Sequence, residues 1–270
     1  MITDSEKTVL PPFDQAAQDR IAALFRNCPP EEFFRELRSH QPTTRDEEVV
    51  FEKYYGWGLE ELGRYGEARV HMLRALRLSR PSSRDRAHVR GLLGYVCVQM
   101  GRVAVAERCS ERALSDIPPD DDGYLRAGHL GLRGRIYRAQ GHLTHAIETF
   151  RRALAIIDGN SPHYSQMIAQ LVYVLQLRGD VHEAGALIRA HRDAAARGDC
   201  TSMDWVVAET EAIVDLELGE LDQAEHALER ALANPVNTGN ERIRFVLQSV
   251  LAEVMQARGM WAQSERILST

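Results

Sequence analysis

The chain has 270 residues and a mass of 30.4 kDa, and 44% of it is hydrophobic. That is enough for the core of one large domain or two ordinary ones, and it excludes a disordered chain or a disulfide-dependent mini-fold. The formal charge of −6 hides a separation: Arg64 to Arg102 holds nine arginines against Glu67 and Asp85, whereas Asp199 to Glu229 holds ten acids and neither Lys nor Arg. Cys28, Cys97, Cys109 and Cys200 form no CxxC pair, which speaks against a zinc ribbon or a secreted disulfide framework and for a reducing, cytoplasmic setting. Neither a signal peptide nor a membrane span is expected, since acids interrupt the first thirty residues and no apolar run reaches about eighteen.

In chain order, residues 1–13 read as a flexible tail and residues 14–43 as amino-terminal capping helices. Ala16, Ala17, Ile21, Leu24 and Phe25, then Phe33, Phe34 and Leu37, mark two short amphipathic segments. From residue 44 to residue 270 one phrase organises the chain. It recurs at Gly63–Ala68, Gly101–Ala106, Gly141–Ala146, Gly179–Ala184, Gly219–Ala224 and Gly259–Ser264, with the glycines 38, 40, 38, 40 and 40 residues apart.

The phrase has the chemistry of a tight turn between two helices. Glycine accepts the left-handed dihedrals that end a helix, the apolar residue two places on pins the turn, and alanine lets the next helix approach closely. Apolar residues flank it at helical spacing, as in Leu92, Leu93, Val96 and Met100 before a turn, or Ala146, Phe150, Ala153 and Leu154 after one. Helix starters sit between the units: Thr44 with Glu47, Ser161 before Pro162, and Thr201 with Asp204. No stretch of period two competes, so the chain is predicted all-α from about residue 14 onward.

These units resemble the tetratricopeptide repeat family. Gly56, Gly94 and Gly134 match its small residue in the first helix, Tyr137 and Tyr65 its aromatics, and Ala68/Ala75, Ala106/Ala113, Ala146/Ala153 and Ala224/Ala231 its alanine pairs. Phe150 matches the second-helix aromatic and Pro118 the terminal proline. Units four to six depart, with Val172, Ala212 and Ala252 in place of the small residue and His191 in place of the second alanine. The period exceeds the family's usual 34, as in divergent bacterial regulators. The resemblance implies a right-handed αα-superhelix of about six helix pairs whose first helices line a concave wall.

Projecting the family's inward positions places Trp57, His88, Tyr95, Arg135, Arg138, Tyr173 and Gln176 on that wall, with Lys53, Glu60, Gln99, Gln166, Glu209, Ile213, Glu217 and Glu253 beside them. Rings interleaved with guanidinium groups suit partner binding, because Trp, Tyr and Arg dominate interface energetics. The family's paired Lys/Asn arrangement for a terminal carboxylate is absent. Gly128, Gly131 and Gly134 each cost roughly 0.5–1 kcal/mol inside a helix, so either the adjacent helix or a bound peptide backbone must approach them closely.

The arginines from Arg69 to Arg90 lack the interleaved aromatics of single-strand binders, so nucleic acid is not an expected partner. His142/His145 lack a third metal ligand, and Asp120–Gly123 lacks a calcium-loop pattern and reads as a helix N-cap. No phosphate loop, dinucleotide fingerprint, nucleophile elbow or HExxH occurs, so neither a cofactor nor an enzymatic activity is expected. Only a short helix with Trp261, Ile267 and Leu268 follows Gly259; a second copy covers that end in a homodimer through the C-terminal repeat, or the end frays. The expected function is a scaffold or adaptor that binds a protein or peptide segment in its concave groove. The alternative is a peptide- or effector-sensing regulatory protein of a bacterial signalling or transcription system.

Overall fold

A computed structural model of the chain describes residues 10–28, 30–121, 123–161, 163–198 and 204–269. Every extended element among them is a helix. Helices α1 (Gln15–Asn27) and α2 (Pro30–Arg38) precede six helix pairs: α3 (Arg45–Glu61) with α4 (Tyr65–Leu78), α5 (Arg84–Gln99) with α6 (Val103–Asp116), and α7 (Tyr124–Ala139) with α8 (Leu143–Leu154). Then follow α9 (Tyr164–Arg178) with α10 (Val181–Arg197), α11 (Asp204–Leu218) with α12 (Leu221–Leu232), and, after the short α13 (Pro235–Thr238), α14 (Glu241–Ala257) with α15 (Trp261–Leu268). Together they build a right-handed helical solenoid of the tetratricopeptide-repeat type.

All six turn glycines have positive φ, from +70° at Gly101 to +91° at Gly179. The reason is a shared hydrogen bond in which the residue after glycine donates back to a carbonyl in the last turn of the first helix. Arg64 reaches Leu59, Arg102 reaches Cys97, His142 reaches Tyr137, Asp180 reaches Leu175, Glu220 reaches Asp215 and Met260 reaches Met255, all at 2.7–2.9 Å. Closing that bond requires a left-handed residue between donor and acceptor. The small residue that ends each phrase is buried at Ala68, Ala106, Ala146, Ala184, Ala224 and Ser264. His191, at the position of a second alanine, is also buried; its Nε2 lies 3.0 Å from Ser165 Oγ, and burial holds its pKa below the ordinary value.

The amino end is anchored earlier than the sequence suggests. Residues 1–9 lie outside the described residues, but Phe13, assigned to the tail, is fully buried and packs edge-on against Phe51 at 5.4 Å. Backbone bonds from Phe13 to Gln41 (3.0 Å) and from Gln41 to Pro11 (2.9 Å) hold it there. The Thr44/Glu47 capping box forms in full, so Thr44→Ala should lower stability by about 1 kcal/mol in urea melts. Asp121 accepts from the backbone N–H of Leu125 and Arg126 and so caps α7. Helix α9 starts at Tyr164, later than the Ser161–Pro162 signal implies; Pro162, Thr201 and Cys200 lie outside the described residues.

The arginine-rich stretch is largely neutralised within the molecule. Arg74 pairs with Glu48 and Glu52 at 3.0 and 3.2 Å, Arg80 with Asp46 at 2.7 Å, and Arg90 with Asp116. The acidic stretch is met likewise: Arg192 pairs with Glu211, Arg189 with Asp215, and Arg258 with Asp222 and Glu225. Among the described residues no helix is long and apolar enough to cross a membrane, and no three His, Cys, Asp or Glu side chains are grouped for a metal.

Candidate ligand cavity on the concave wall

One register position, six residues before each turn glycine, carries Trp57, Tyr95, Arg135 and Tyr173 on consecutive first helices. Because α3, α5, α7 and α9 stack side by side, this stripe becomes a ladder. From α7, Arg135 reaches back so that its guanidinium lies 4.8 Å from the Tyr95 ring centre, and Arg138 reaches forward to lie 5.0 Å from that of Tyr173. Arg138 also donates to Gln170 Oε1 at 2.7 Å. Such contacts contribute about 0.5–2 kcal/mol according to desolvation, and they leave the rings and cations facing the groove.

The ladder borders a cavity of about 140 Å³. Of the seven predicted wall residues, Trp57, His88, Tyr95 and Arg135 line it. Arg138 and Tyr173 form the adjoining rung, with Tyr173 43% exposed. Gln176 lies apart from the cavity lining; its buried Nε2 has no hydrogen-bond partner among the described residues.

Tyr124, His129, His163, Trp205 and Arg242 also line the cavity, and the sequence projection did not select them. Tyr124 and His163 sit at the amino ends of α7 and α9, a turn or more outside the projected stripe, where only the clustering of aromatic residues at helix starts could have flagged them. They complete a four-ring wall. Trp57 stacks on His163 at 5.7 Å and meets His88 edge-on at 5.8 Å, while Tyr124 meets His88 at 5.8 Å and places its hydroxyl 2.7 Å from His163 Nε2.

Arg242 closes the groove. Asn240 caps α14 by accepting from the backbone N–H of Arg242 and Ile243, which turns the Arg242 side chain toward the end of α3. There Nη1 donates to the Glu61 carbonyl at 2.8 Å, joining positions 181 residues apart. The first and last pairs therefore meet across the groove.

Burial dominates the electrostatics. It pushes the Tyr95 phenol up to about 12, with Glu60 adding to the effect, so Tyr95 stays neutral. It drives His88 well below the ordinary imidazole value, assisted by Lys53, His163 and Arg84, and lowers His163 as well. His129 falls to about 4 from burial and then Arg133. The carboxyl of Glu60 is raised well above the ordinary range by burial and then by Glu61, against the pull of Arg242 and Arg135. Burial raises Glu209 too. The wall thus presents neutral imidazoles, a neutral phenol and desolvated guanidinium groups. It can hold a partner by shape, ring stacking and charge.

Gly128, Gly131 and Gly134 divide between the two expected reasons for small residues. A Cβ at Gly134 would lie 2.7 Å from Phe150 Cζ, so helix packing requires that glycine; one at Gly131 would lie 3.3 Å from Met167 Cε, a tight contact that a small shift of the flexible Met167 side chain would relieve. At Gly128 a Cβ would meet nothing within 4 Å, and the residue lines the cavity.

Helix pairs, turns and small-residue positions together define the class: this is a tetratricopeptide-repeat-like solenoid protein. Residues 130–159 match the family model described as "Tetratricopeptide repeat". No curated protein matches the sequence significantly. Among solved structures, the apo form of RapI shares 13% identity, with 94% of each chain covered and a TM-score of 0.64. A Rap protein complexed with Competence and Sporulation Factor shares 15%, covering 89% of this chain and 67% of that one at 0.66. The Rap conjugation gene regulator of plasmid pLS20, in complex with the Phr* peptide, shares 17%, covering 95% and 68% at 0.64. At these identities the likeness is one of fold.

Proposed function

We propose that this protein is a non-enzymatic interaction module of the cytoplasm that grips a peptide or a segment of a partner protein in its concave groove. The observation that carries this reading is the Tyr95–Arg135 and Arg138–Tyr173 ladder bordering a cavity that Arg242 closes. Tyr95→Ala and Arg135→Ala should each weaken partner binding by at least about fivefold, or about 1 kcal/mol, with helicity by circular dichroism unchanged. Capture from cytosol with wild type and the double variant, followed by mass spectrometry and titration of the recovered partner, checks this. Identical capture by both proteins would move binding off the concave wall.

A second reading, a peptide- or effector-sensing regulator in a bacterial signalling or transcription system, is supported by the peptide complex among the similar Rap structures. In this reading a ligand inside the groove alters the Arg242–Glu61 contact and with it the superhelix. Small-angle scattering that does not change on saturation with ligand would sink it. Self-association through the C-terminal pair belongs to the proposal as well, supported by the exposed side chains of Phe245, Trp261 and Leu268.

A further inference from the structure

The groove reading leaves open what kind of group the cavity takes, and two independent features bear on it. The first is charge. Arg135 carries its guanidinium into a desolvated site, yet among the described residues no carboxylate lies within 4 Å of it, and its buried Nε has no hydrogen-bond partner. The acid that acts on it electrostatically, Glu60, is itself held toward its neutral form by burial. Arg135 is half-buried and rests on the Tyr95 ring, so its guanidinium is partly desolvated without a counter-ion, a deficit that an anion bound at its remaining N–H groups would make good. His129, on the same cavity, also has a buried ring nitrogen, Nδ1, without a partner.

The second feature is shape. Gly91 and Gly128 lie inside α5 and α7, where glycine is the least favourable residue after proline. A Cβ at either would meet nothing within 4 Å, so helix packing explains neither glycine, and both line the cavity. Their effect is a floor of bare helix backbone one turn on from His88 and Tyr124 of the ring wall. The cavity of about 140 Å³ is close to the roughly 150 Å³ that admits a benzene ring.

We propose that this cavity takes a carboxylate carried on a ring-sized apolar body, with Arg135 as its counter-ion and the backbone at Gly91 and Gly128 as its floor. In a gripped peptide this is an acidic residue beside an aromatic one. The inference rests on the concave groove being the binding surface. A free aromatic acid has the same chemistry, and the probes separate the two sources.

The test uses the full chain with four probes: acetyl-Ala-Phe-Glu-Ala-amide, its Gln counterpart, 3-phenylpropionate and 3-phenylpropanamide. Binding is read from the fluorescence of Trp57 and Trp205, which both line the cavity, and from calorimetry. At least one acid should bind about tenfold or more tightly than its amide. Arg135→Met should abolish that preference, and Gly128→Leu should block both members of the pair while keeping a melting temperature at or above that of the wild type. Preference for the peptide assigns the site to a protein segment, and preference for phenylpropionate assigns it to a small acid; either supports the chemistry. Equal binding of acid and amide, no binding of any acid, or a preference that survives Arg135→Met overturns it. If the acids fail while Tyr95→Ala still loses a captured partner, the anion chemistry falls and the groove reading stands.

Discussion

Phe150→Ala should lower the stability of the solenoid by about 3–5 kcal/mol, the range for deleting a fully buried phenylalanine. Phe150 lies on α8 with its ring against the backbone at Gly134, in the apolar cluster that runs on through α9 and α10 into α11. Neighbour contacts carry the stability of a repeat protein, so a cavity here should weaken the coupling between the two halves and split one urea transition into two. Gly134→Ala sets up the complementary strain. Its Cβ would lie 2.7–2.9 Å from three ring carbons of Phe150, and such overpacking costs about 1–3 kcal/mol. In the double variant the methyl enters space that the ring has left, so the combined loss should fall short of the sum by at least about 1 kcal/mol. Additive losses would mean that ring and glycine do not set each other's size.

Asp215→Asn should raise stability at pH 7 by about 2 kcal/mol and leave it nearly unchanged at pH 4. Asp215 is fully buried on α11. Burial pushes its carboxyl from an ordinary value of 3.8 to about 6, Glu211 and Glu220 push the same way, and Arg189 and Arg192 pull against them. Oδ1 accepts from Arg189 at 3.3 Å, whereas Oδ2 has no partner among the described residues. With the native pKa above the unfolded one, the folded chain holds the extra proton between about pH 4 and 6. Ionising this carboxylate therefore removes stability as pH rises through that window, and the full penalty applies at pH 7. Asparagine removes the charge, and Arg189 keeps Glu220 at 3.7 Å. Urea melts of both proteins from pH 4 to 7 should diverge as pH rises; parallel curves would show that Asp215 carries no ionisation penalty.

The fold was legible because its determinants are local. A positive φ at Gly63 or Gly179 follows from one hydrogen bond spanning five residues, and a buried alanine five places after the glycine follows from the closeness of two paired helices. Part of the site was legible for the same reason: once the turns set the register, Trp57, Tyr95, Arg135 and Tyr173 fall on one stripe.

What remained hidden depends on contacts between distant units. The Arg242–Glu61 bond spans 181 residues, and the curvature of the stack brings these residues together, a property that no single repeat contains. Periodicity could not divide the α7 glycines either, since packing against Phe150 requires Gly134, Gly131 sits close to the flexible end of Met167, and Gly128 stays bare. The charge separation along the chain is largely cancelled in the fold because the acidic partners of the arginine-rich run, Asp46, Glu48, Glu52 and Asp116, lie on neighbouring helices. By itself, then, the sequence determined the repeat, the turns and the wall register, through hydrogen bonds and packing within one helix pair. Closure of the groove, the lining of the cavity and the lack of a counter-ion at Arg135 were decided by tertiary structure, because each depends on how several pairs curve around a shared axis.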